Sequence, residues 1–185
     1  MVTEKDYPSS LYRGKWGVQD ADAFERLAND IKQETQPFFK LMLTISSHEP
    51  FDYPNSPKGL NTWEQFSAAM SYTDSCLGVF WEQVKNTPNT LFVFAADHGR
   101  IMGDPLLDRS PWVYKMPIVV AGTALQDSFK GVQFSHVINQ HHLPSNVLQM
   151  IGVKDTAEHF QFQQSWFNPK VPAYFTFYNV CVYGV

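Results

Sequence analysis

These 185 residues contain two cysteines, no cluster of basic residues and no long apolar run. Cys76 and Cys181 stand too far apart for zinc-site or redox spacing, which leaves two buried free thiols as the reading. A formal net charge of −4 without a Lys/Arg patch removes the electrostatic case for a nucleic-acid partner. No stretch reaches the roughly 18 apolar residues of a membrane-crossing helix. Residues 1–7 are polar and lack a signal-peptide core. If the parent protein is exported or anchored, the segment responsible is expected upstream. Charged residues make up only 17%, but 44% are hydrophobic and 15% aromatic, a globular composition well outside the disordered class. The length suits one domain, and the even spread of Pro and Gly gives no internal boundary, so residues 1–185 are read as a single domain.

The hydrophobic periodicity predicts alternating helices and strands. Asp20 or Asp22 opens a helix running to about Glu34, with Asp22 and Glu25 spaced as a capping box and Phe24, Leu27 and Ile31 on its buried stripe. The nearly continuous apolar run 38–45 reads as a strand covered on both faces, as in a parallel sheet between helices. A proline-bearing loop over 48–60 precedes a long helix from about Thr62 to Val84, striped by Phe66, Met70, Thr73, Leu77, Phe80, Trp81 and Val84. Residues 90–96 form the clearest strand, 117–121 a further buried one, and 145–151 a short helix stopped by Gly152. The aromatic tail 160–185 is β or irregular. The class is therefore α/β, with a mostly parallel sheet flanked by helices. In such folds sites gather beyond the carboxyl ends of strands.

Two candidates stand at those ends. Asp97 and His98, followed by Gly99, emerge where the strongest strand stops. Neighbouring side chains on a strand point to opposite faces, so both reach one ion only if the backbone turns, and Gly99 permits that turn. An oxygen beside a nitrogen ligand suits Zn²⁺ or Mn²⁺ better than Mg²⁺. The alternative is a helix-capping Asp beside a solvent-facing His. His48, just after the run 38–45, can donate to an anionic oxygen or serve as acid or base near neutral pH. Its alternative is a loop histidine without a role. Arg100 is a candidate anion contact, or a surface charge. His141 and His142 are adjacent on a helix, where side chains diverge by about 100° and do not share one ion readily. His136 and His159 read as surface or packing residues.

The order of these pieces resembles the alkaline phosphatase superfamily, in particular its sulfatase and lipoteichoic acid synthase (phosphoglycerol transferase) branch. Residues 14–20 resemble "WG-x-x-D" at the start of a helix, 37–51 resemble "PFF…T-x-S-x-H-x-PF", and 72–78 resemble "Y-x-D-x-x-L-G". Residues 89–99 resemble "NTLFVF-x-x-DHG", 116–121 the "P-(I/L)-(I/L)" strand, and 144–152 the "P-(T/S)-x-L-x-x-(I/L)-G" helix. The motifs follow in order from about Asp6 to Val153, so the chain resembles the C-terminal part of a sulfatase-like catalytic domain.

The resemblance implies that Asp97 and His98 are two adjacent metal ligands and that His48 contacts the phosphate or sulfate group of the substrate. Asp74 matches a structural helix position. The family often carries Asp at the position of His141, which makes His141 a further candidate ligand. The implied cofactor is a divalent metal, Mn²⁺ first, with Zn²⁺, Mg²⁺ or Ca²⁺ as alternatives. The family's Thr, Ser or formylglycine nucleophile lies N-terminal of these motifs and has no matching segment, so no nucleophile is assigned and the chain alone is expected to be inactive. The implied partners are an anionic phosphate- or sulfate-ester substrate and the N-terminal part of the same protein. Without the latter, an exposed sheet edge invites self-association. The pattern at 72–78 and the tail at 167–175 resemble bacterial lipoteichoic-acid-synthase-like proteins, which favours a phosphoglycerol transferase over a true sulfatase. A non-catalytic binding module that keeps the fold is the remaining alternative. Family members sit on the extracytoplasmic face of the membrane, and the parent is expected there.

Overall fold

The computed structural model describes residues 1–99, 115–134, 138–153, 165–167, 174–177 and 181–184. Although the sequence shows no boundary, the chain divides into two compact units, Met1–Thr87 and Pro88–Val185. Among the described residues no helix is long and apolar enough to cross a membrane.

In the first unit, strands β1 (Arg13–Gly14) and β2 (Gly17–Val18) pair antiparallel around Lys15 and Trp16. Gly17 takes a φ of +125°, which a side chain would resist. Helix α1 (Asp20–Gln33) follows, with Phe24, Ala28 and Ile31 buried. Helix α2 (Thr62–Val84) starts at a reciprocal cap: Asn61 Oδ1 accepts from the Glu64 amide at 3.0 Å, and Glu64 Oε2 accepts from the Asn61 amide at 2.9 Å. The helices pack through Phe24 and Phe80, whose ring centroids lie 5.0 Å apart. A second cluster joins Phe51, Tyr53 and Ala69, with Phe66 and Tyr72 packed against it.

Two expectations for this unit need correction. The expected Asp22–Glu25 capping box is not formed. Gln19 occupies the N-cap without a side-chain bond, and α1 begins at Asp20, whose carboxylate is committed to residues distant in sequence. Residues 38–45 form no ladder and are not covered on both faces: Phe39 is 90%, Leu41 77% and Leu43 75% exposed. An apolar run encodes a tendency to be buried, but burial on two faces needs neighbouring strands, and none among the described residues pairs with it.

In the second unit, β3 (Phe92–Ala95) pairs antiparallel with β4 (Ile118–Ala121), register Phe92 to Ala121 through Ala95 to Ile118. Gly122 has φ +122°, and a Cβ there would lie 2.3 Å from the Thr90 carbonyl oxygen, so the end of this ladder admits only glycine. A 3-10 turn, Gln140–His142, leads into α3 (Leu143–Met150), which stops before Gly152 at φ +84°. Strands β5 (Tyr174–Phe177) and β6 (Cys181–Gly184) form another antiparallel pair. The α/β class stands, but every strand pairing among the described residues is antiparallel, against the expected mostly parallel sheet.

Candidate metal and anion sites

Strand β3 ends at Ala95, and the backbone turns through Ala96 and Asp97. Gln140 Nε2 donates to the Ala96 carbonyl at 2.5 Å, holding this turn from the side of the 3-10 helix. Asp97 Oδ1 accepts from the His98 amide at 2.9 Å, which leaves Oδ2 facing His98 Nε2 at 3.5 Å. His98 Nδ1 lies 2.7 Å from the Gly99 carbonyl. A carbonyl only accepts, so Nδ1 carries a proton, and in the neutral ring Nε2 presents its lone pair. This is how a metal-ligating histidine is usually oriented. Two ligands each about 2.1 Å from one tetrahedral ion stand roughly 3.4 Å apart. The observed 3.5 Å between Oδ2 and Nε2 therefore fits a shared divalent ion. Both side chains are strongly exposed. No group of three or more His, Cys, Asp or Glu able to hold a metal occurs among the described residues, so the pair is half a coordination sphere.

His141 is exposed beside the buried His142. Burial, and then the neighbouring His141, push the imidazole of His142 below the ordinary histidine range. The His142 carbonyl accepts from Ser145 Oγ at 3.0 Å and Asn146 Nδ2 at 2.7 Å, so this region is built into α3. Arg100, His136 and His159 lie outside the described residues.

A separate constellation forms in the first unit. His48 Nδ1 donates to the Glu49 carbonyl at 2.9 Å, and Trp16 Nε1 donates to the same oxygen at 2.6 Å. The two rings meet edge to face, centroids 4.8 Å apart. The Lys15 ammonium lies 5.0 Å from the Trp16 ring centroid. With Nδ1 spent on Glu49, His48 Nε2 is the nitrogen left to face a bound oxyanion, accepting a proton there in the neutral ring and donating only when the ring carries both protons. Asp52 ties this loop to the hairpin, accepting from the Lys15 amide at 3.2 Å and from the Tyr12 hydroxyl. That hydrogen bond, more than burial, raises the Tyr12 phenol. Asp74, expected to be structural, is exposed on α2. Cys76 is a free, half-buried thiol, and the side chain of Cys181 lies outside the description.

The structure thus brings Asp97 and His98 together, and it joins His48 to Trp16, which motif reading treats only as part of a helix start. The two glycines bracketing Lys15 and Trp16 are the available sequence signal, since they mark a hairpin tight enough to present an aromatic residue at its tip. Gln140 carries no such signal, because its partner lies 44 residues away.

The sequence profile of the sulfatase family matches residues 2–153. A Bacillus subtilis (strain 168) protein, lipoteichoic acid synthase-like YvgJ, is 26% identical over 93 residues, which is 45% of this chain and 15% of that protein. A crystal structure of a protein in the alkaline phosphatase superfamily from Vibrio parahaemolyticus superposes with a TM-score of 0.66 at 28% identity, covering 82% of this chain and 38% of the other. The chain therefore spans well under two thirds of the length of either relative.

Proposed function

From the premise that this chain belongs to the sulfatase family, we propose that it forms part of a metal-dependent enzyme that cleaves or transfers phosphate or sulfate esters, with phosphoglycerol transfer as the favoured reaction. The observation that carries this reading is the 3.5 Å spacing of Asp97 Oδ2 and His98 Nε2, with Nδ1 anchored on Gly99. The similarity to a lipoteichoic acid synthase-like protein supports the phosphate rather than the sulfate branch and an extracytoplasmic parent.

Asp97 and His98 hold one side of a divalent ion, with Mn²⁺ as the first choice. When bound, the ion supplies Lewis-acid stabilisation of negative charge. In its doubly protonated form, His48 donates from Nε2 a hydrogen bond to a non-bridging oxygen of the ester, or a proton to the departing oxygen. Trp16 supplies an apolar wall beside it, and Lys15 adds positive charge. No Ser or Thr of this chain is assigned as nucleophile, and turnover requires the part of the family domain outside the matched region. The exposed apolar residues Phe39, Leu41 and Leu43 fit contact with that same part, or with a second copy of this chain.

Manganese titration followed by NMR tests the metal reading. Paramagnetic broadening is expected first at residues 96–99. Asp97→Asn and His98→Gln should each weaken it by about tenfold or more. Broadening centred elsewhere, or unchanged in both variants, would refute the assignment.

A further inference from the structure

We infer that Asp20 is the positioning residue for His48. The inference rests on the reading of His48 as an oxyanion contact. Asp20 is 1% exposed, and its carboxylate receives three donors from two distant segments. Oδ1 accepts from the amides of Ile45 at 2.8 Å and Ser46 at 3.2 Å, and Oδ2 from the Thr73 hydroxyl on α2 at 2.7 Å. The link is reciprocal, because the Asp20 amide donates to Ser46 Oγ at 3.1 Å while Ser46 Oγ donates to Gln19 Oε1 at 2.8 Å. Gln19 and Ser46 are themselves buried.

The route from this knot to the imidazole is short. The same Ile45 whose N–H meets Asp20 offers its carbonyl to the His48 amide at 3.0 Å. The His48 carbonyl then accepts from the Phe51 amide at 2.8 Å, closing the next turn. On the other side, Gln19 alone separates Asp20 from the end of β2 and accepts from Ser46 Oγ, so the same knot also anchors the hairpin that presents Trp16. One buried carboxylate therefore fixes both the loop that carries His48 and the strand pair that carries its aromatic neighbour. An aspartate in the first turn of a helix ordinarily serves that helix through its charge near the N-terminus. Here the carboxylate bonds no amide of its own helix and is spent on residues 25 and 26 positions away. That is an arrangement for placing a loop rather than for starting a helix.

The test compares three variants of the full chain by NMR, reading the Trp16–His48 ring contact and the exchange of the Trp16 indole proton. Asp20→Ala should loosen the contact and speed indole exchange by about tenfold. Asp20→Asn keeps an oxygen for the two amides and should retain most of the contact. Thr73→Val disturbs the carboxylate from the α2 side alone and should leave the rings in place, although it too lowers stability. If Asp20→Ala does not fold, the parent chain supplies the answer: with rising urea below the unfolding transition, the Ile45 and Ser46 amides and the Trp16 indole should open with one common dependence. A folded Asp20→Ala protein with unchanged rings, or an indole that opens independently of those amides, would overturn the inference. Adding inorganic phosphate to the parent chain separates the two readings. If the Trp16 and His48 signals do not respond, the anion-contact reading fails, while the exchange results still judge whether Asp20 places the loop.

Discussion

Replacing Gly14 with alanine adds one methyl group at the point where the hairpin, helix α1 and the His48 loop meet. The added Cβ would lie 2.5 Å from Gln19 Nε2 and 2.8 Å from the Asp52 carbonyl oxygen. Ordinary contacts of this kind are about 3.4 Å or longer, so something must move. Gln19 is 1% exposed and bonded to Ser46, so swinging it away breaks a buried hydrogen bond. Moving Asp52 instead displaces backbone and strains the bond from the Lys15 amide. Overpacking of about 1–3 kcal/mol plus a lost hydrogen bond of about 1 kcal/mol gives a cost of about 2–4 kcal/mol. The gain from a stiffer unfolded chain, at most about 1 kcal/mol, does not reverse the sign. For a unit of this size the melting temperature should fall by about 10 °C or more. Urea unfolding followed by circular dichroism measures the loss, and the Trp16 indole resonance reports whether the hairpin has shifted. A Gly14→Ala chain with the parent's midpoint and an unmoved indole resonance would refute the packing argument.

Gly78→Ala should act in the opposite direction. The position lies inside α2 and a Cβ there meets nothing within 4 Å, so thermal unfolding should show a gain of about 0.5–1 kcal/mol. Gly122→Ala combines a φ of +122° with a 2.3 Å clash on the Thr90 carbonyl. It should cost about 2–5 kcal/mol, visible as faster amide exchange along Phe92–Ala95. Burial, more than any other influence, pushes the Cys76 thiol up. Since the thiolate is the reactive form, Cys76 should react with a disulfide reagent about tenfold or more slowly in the native chain than in urea, as read by peptide-resolved mass spectrometry. Equal rates would show that the thiol is not shielded.

The parts of the fold that the sequence discloses are those governed by near neighbours. Helix α2 occupies Thr62–Val84 as its periodicity indicates, and β3 falls within the apolar run 90–96. Asp97 and His98 were legible as a pair because a strand end and a following glycine are local signals. What stays hidden depends on partners far along the chain. Asp20 looks like a cap until Ile45, Ser46 and Thr73 are seen around it. Trp16 looks like part of a helix start until its indole is found on Glu49. The run 38–45 misleads for the same reason, since its composition speaks of burial but names no neighbour.

The shared acceptor at Glu49 has a consequence for substitution. Both rings hang from a main-chain oxygen, so the identity of the side chain at position 49 contributes nothing to either bond. Bending the peptide that bears the oxygen would swing both rings at once. Trp16 and His48 accordingly behave as one mechanical unit, and substitutions at the two positions should combine non-additively.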